Sequence, residues 1–169
     1  MKFGAPKQVF KLNTKRVQDV EPIRNGFTGV VVEKKEDLED LVEEPCLKTC
    51  QQLFDKNVQT IDSGCNKENS SHRAYIVINY DTLNDANKRI ADDMVQRGAV
   101  RFSPKDDECP SRNGTNQITI EVATKPSDLV SLVERKLLNI TKEFQKQPNI
   151  HKTISHETLK WLAEYNQNR

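Results

Sequence analysis

The sequence predicts an α+β fold, a mainly antiparallel sheet of four to five strands with helices on one face. Three observations carry that expectation. Residues 74–80, Ala-Tyr-Ile-Val-Ile-Asn-Tyr, form an apolar run of strand length, as a central strand requires. Residues 117–123 alternate Ile118, Ile120 and Val122 against Thr119 and Glu121, the pattern of a strand with one wet face. Segments 46–54 and 83–94 place apolar residues at helical spacing, so each buries one stripe.

Taken in order, residues 1–25 mix charges with isolated apolar residues and two prolines, Pro6 and Pro22, and read as a polar basic arm. Residues 27–33 form a strand through Val30, Val31 and Val32, whose branched side chains suit a pleated surface. Residues 36–44 carry six carboxylates and no cation, an acidic helical stretch. Pro45 sits in the first turn of a new helix, where its missing N–H costs nothing. Cys46, Leu47, Cys50, Leu53 and Phe54 form the buried stripe of that helix. A short strand at 58–61 and a polar loop at 62–73 lead to the strand at 74–80.

Thr82 to Asp85 resembles a capping box and opens a helix that Gly98 closes from the C′ position. Residues 99–103 and 117–123 pair as a hairpin around a polar excursion containing Asn113-Gly114. The longest helix is expected between Pro126 and Pro148, and Ser155 caps a last short one. The domain reading is therefore an arm at 1–25, one core at 26–148 and an appended amphipathic helix at 149–169. The first six elements of the core follow the β-α-β-β-α-β order of ferredoxin-like folds.

Composition limits the partners. With 35% apolar and 30% charged residues, the core is modest and its surface heavily solvated. A net charge of +1 removes the simplest argument for nucleic acid or an acidic membrane. The lysine-rich arm is balanced by the acidic stretch at 36–44, against which it is expected to lie. Tyr75 and Tyr80 cannot share one face of a regular strand, which counts against base stacking on the sheet. The start of the chain carries no apolar run of leader length, and no segment reaches membrane-spanning length. The expected location is cytoplasmic, with Cys46, Cys50, Cys65 and Cys109 reduced.

Residues 60–72 hold the densest cluster of reactive side chains. Cys65 is a candidate nucleophile, with His72 to lower its pKa and Asp62 to orient the imidazole. Ser63, Gly64 and Asn66 are candidate ligand-binding residues, and the Gly64 to Asn66 amides are candidate oxyanion donors. An ordinary polar connection with a buried thiol at its base explains the same residues and is preferred. Cys46, Cys50, Cys65 and His72 would supply four zinc ligands. Yet there is no tight Cys-x-x-Cys knuckle, and core packing accounts for the cysteines on the helix. Asp106, Asp107, Glu108 and Cys109 lack the spacing of a calcium loop.

No cofactor is called for. The leading expectation is a non-catalytic binding or regulatory module acting through protein contacts, self-association or a small ligand. Leu159, Trp161, Leu162 and Tyr165 are the candidate contact residues, because Trp and Tyr are favoured anchors. The competing classes are a thiol-dependent hydrolase or transferase using the 62–72 loop, and a zinc-binding protein.

Overall fold

The computed structural model describes residues 14–23, 32–65, 72–109, 114–149 and 164–165. Four α-helices and four strands lie within them: α1 Leu38–Leu41, α2 Glu44–Asp55, β1 Thr60–Cys65, β2 Arg73–Asn79, α3 Asp85–Gln96, β3 Arg101–Ser103, β4 Gln117–Ala123 and α4 Val130–Thr141. The strands form one antiparallel sheet in the order β1-β2-β4-β3. The α+β class is thus as the sequence predicts. The ferredoxin-like order is not established by this sheet. Its expected first strand, 27–33, lies outside the described residues except for Val32 and Glu33, and neither of these is in a strand.

Alternation along the strands creates the two faces. Ala74, Ile76 and Ile78 of β2 and Ile118 and Ile120 of β4 are buried on one side. Against them pack Cys46, Cys50 and Leu53 of α2, Ala91 and Met94 of α3, and Val133 and Leu137 of α4, in one continuous core. Residues 15–18 also belong to this body. Val17 N–H donates to the Asp128 carbonyl at 2.9 Å, Val130 N–H donates to the Lys15 carbonyl at 2.9 Å, and Val17 is buried in the core. Lys15 also pairs with Glu44 at 2.5 Å, so this stretch lies against the acidic segment.

Helix ends explain several boundaries. Gly98, at φ 75°, is the C′ residue of α3, with Ala99 N–H returning to the Met94 carbonyl at 2.8 Å. Asn57, at φ 62°, does the same for α2, and Val58 N–H reaches the Leu53 carbonyl at 2.9 Å. The cap of α3 is Asn84 rather than Thr82, because Asn84 Oδ1 accepts the Asn87 N–H at 3.0 Å. Thr82 instead donates to the Asn79 carbonyl at 2.8 Å and closes a 3-10 turn, Tyr80–Thr82. The acidic stretch is broken: a 3-10 turn, Lys35–Asp37, and α1 end before the extended residue Glu43. The last long helix stops at Thr141, well short of Pro148.

The largest departure from expectation is β1. The sequence predicts a strand at 58–61 and a loop at 62–73, but Asp62–Cys65 are strand residues paired with Ala74–Val77. A bulge between Thr60 and Asp62 resets the alternation. Low strand propensity in Asp-Ser-Gly is outweighed by the pairing that β2 offers.

Candidate functional site

The end of β1 holds the residues that the sequence singles out. Pairing places Ser63 beside Ile76 and Cys65 beside Ala74, on the core side. Asp62 and Gly64 pair with Val77 and Tyr75, on the opposite side. Asp62 and Cys65 therefore lie on different faces of the sheet. His72 is exposed at φ 47°, its carbonyl accepting the Thr124 N–H at 2.8 Å. Among the described residues no hydrogen bond joins its imidazole to the Cys65 thiol.

The thiols have a shared environment. Cys46, Cys50 and Cys65 are all buried where α2 meets β1. The Cys46 thiol donates to the Gly64 carbonyl at 3.6 Å and lies 3.7 Å from the Tyr75 carbonyl. The Cys65 backbone N–H, on the outer edge of β1, donates to Glu43 Oε1 at 2.8 Å. Burial, followed by the Glu43 carboxylate, pushes the Cys65 thiol up to about 11. Burial pushes Cys50 up to about 12; the Ser63 hydroxyl lowers it in part and Asp62 raises it further. Cys46 is held well above its ordinary value, first by burial and then by the neighbouring thiols and Glu43. All three are neutral near pH 7, the opposite of an activated nucleophile.

Ser63 Oγ is buried beside Cys50 without a hydrogen bond of good geometry. Asn66 lies outside the described residues, as do Leu159, Trp161 and Leu162. Tyr165 is half-buried in a helical pair with Glu164. Among the described residues no group of three or more His, Cys, Asp or Glu side chains is arranged to hold a metal. Asp106 Oδ1 is engaged locally, accepting the Glu108 and Cys109 N–H groups at 3.0 Å each. No helix among the described residues is long and apolar enough to cross a membrane.

The sheet face away from the helices carries a connected polar ridge that sequence reasoning missed. Arg73 of β2 and Arg101 of β3 both donate to Glu121 Oε1 of β4, Arg101 at 2.9 Å. The Arg73 guanidinium lies 4.8 Å from the centre of the Tyr75 ring, a cation–π contact. Tyr75 Oη in turn lies 3.5 Å from Asp62 Oδ2. Beneath the ring sits Gly64, where an added Cβ would come within 2.9 Å of Tyr75 Cε1. Burial, then Asp62, pushes the Tyr75 hydroxyl up to about 12, while Arg73 opposes them. The alternation of Thr119 and Glu121 with isoleucines marks this polar face on β4, although Thr119 itself is buried, and only the register brings the two arginines to it.

Comparison of the chain with protein-family models, curated proteins and solved structures finds no match.

Proposed function

We propose that the chain is a non-catalytic binding module that works through protein contacts, and that the open face of its sheet is the contact surface. One observation carries this reading: among the described residues the core helices pack on one face, and the other bears side chains from all four strands, Asp62, Arg73, Tyr75, Arg101 and Glu121. Polar side chains spread over four strands suit a macromolecular partner better than a small ligand, whose sites are concave. The protonated, buried thiols weigh against the thiol-dependent alternative. Leu159, Trp161, Leu162 and Tyr165 remain a second candidate contact surface, on composition alone.

The test places a photo-reactive residue at Val77, in the middle of the open face, or at Arg135, exposed on α4. Partners cross-linked in an extract of the source organism are identified and re-bound as pure components. The reading expects a partner captured through position 77, and a re-formed complex weakened at least tenfold by Val77→Lys. Capture through position 135 alone, or a complex indifferent to Val77→Lys, would sink it.

A further inference from the structure

We infer that the Arg73–Arg101 pair is a carboxylate-recognition site for an extended acidic segment of a partner protein. The inference rests on the open-face reading above and adds the chemistry of the partner. Two guanidinium groups share a single carboxylate oxygen, Glu121 Oε1, so among the described residues two cations meet one anion at the β4–β3 end of the ridge, with Asp62 at its other end. Each guanidinium has five N–H donors in a planar fork that matches carboxylates. Glu121 engages one nitrogen of each, and the Arg73 Nε is buried without a hydrogen-bond partner. Arg101 remains 62% exposed in its side chain.

The site is also held in place. Arg73 is fixed between the Tyr75 ring and Glu121, so little side-chain freedom is left to lose on binding. At the other end of the ridge Asp62 stands beside the Tyr75 hydroxyl and repels a second acid. A bound segment would therefore set its carboxylate over β4 and β3 and its neutral or basic end over β1. Nucleic acid fits less well, because the ridge offers one aromatic ring and that ring is already covered by Arg73.

The experiment titrates the full ¹⁵N-labelled chain with a synthetic decapeptide alternating Glu and Ser, with its Gln-for-Glu analogue, and with a single-stranded DNA decamer. Amide shifts around Arg73, Arg101, Thr119 and Glu121 are expected with the Glu peptide, and binding at least tenfold weaker with the Gln analogue. Arg73→Gln and Arg101→Gln should each weaken the Glu peptide at least fivefold, their spectra otherwise showing the native fold. Glu121→Gln removes the resident carboxylate and should tighten binding at least twofold. Equal binding of the Glu and Gln peptides at this face would overturn the inference and leave the open-face reading standing. Shifts confined to the helices would remove both. Tighter binding of the DNA at the same amides, or full binding by both arginine variants, would also overturn it.

Discussion

A thiol attacks only as a thiolate, so the residue that decides what Cys65 can do is its neighbour Glu43 as much as Cys65 itself. The buried carboxylate accepts the Cys65 N–H at 2.8 Å and adds its field to the cost of burying a charge. The consequence for stability has a definite sign. Cys50 and Cys65 titrate near 12 and 11 in the folded chain, against an ordinary value of 9.0. Between those limits the folded chain binds more protons than the unfolded one, so stability is intact below pH 9 and falls as pH rises toward 11–12. Each thiol contributes a slope of about 1.4 kcal/mol per pH unit in that window. Cys50→Ala should cost about 1–2 kcal/mol at pH 7 through lost packing. Its decline in urea midpoint above pH 9 should be shallower by one proton than that of the parent chain, and parallel declines would refute the assignment. Residue type makes Cys65, His72 and Asp62 visible in the sequence as a reactive set. Which face each side chain takes depends on a bulge near Ile61, and no composition reveals a bulge.

At the scale of elements, the same bulge shows what the sequence discloses and what it hides. The β2 and β4 strands are legible because their apolar residues repeat at the strand period, and Gly98 is legible because a positive φ selects glycine. The second half of β1 is not, because Asp62, Ser63 and Gly64 are turn formers held in a strand by partners elsewhere. Gly64 is there for the ring opposite: Tyr75 lies across it in the paired position. Covering a strand glycine with a cross-strand aromatic compensates for its missing side chain. The pair predicts a reversal of sign. Gly64→Val in the parent chain should destabilise by about 1–3 kcal/mol through overpacking against the ring. In a Tyr75→Ala background the same change should be neutral or stabilise by up to about 1 kcal/mol, because valine is the better strand former. Denaturant unfolding of the four proteins measures the coupling. Additive effects would mean that the ring moves aside at no cost, and the glycine would then need another explanation.

For the whole molecule, the question is what makes the helix layer one rigid support for the sheet. The answer lies past α4, where Gln147 is buried and joins the segments at 56–57 and 82–87 to its own. Its Oε1 accepts the Asn84 N–H and Asn87 Nδ2, each at 2.9 Å, at the start of α3. Its Nε2 donates to the Asn57 and Thr82 carbonyls at 3.0 Å each, and its own N–H reaches the Lys56 carbonyl at 3.0 Å, just past α2. Asn87, fully buried, also exchanges two hydrogen bonds with the Gln145 backbone at 2.8 Å each. These bonds end α4 early by drawing residues 142–149 across the ends of α2 and α3. Apolar periodicity cannot anticipate this, since the groups involved are amides. A chain ending at Asn149 should therefore be more stable than one ending at Lys146 by about 2–4 kcal/mol, the cost of stranding several buried polar groups together. Gln147→Ala in the full chain should reproduce most of that loss. Comparing two truncations three residues apart cancels whatever residues 150–169 contribute. If their urea midpoints coincide, water replaces the clamp without penalty and the helix layer owes its rigidity to the apolar core alone. If they differ as expected, the sheet stands on a support whose geometry is set by polar contacts at the end of α2 and the start of α3. Gln147→Ala should then loosen the helix ends while leaving the Arg73–Glu121–Arg101 ridge intact, because the sheet registers that assemble the ridge do not pass through the clamp.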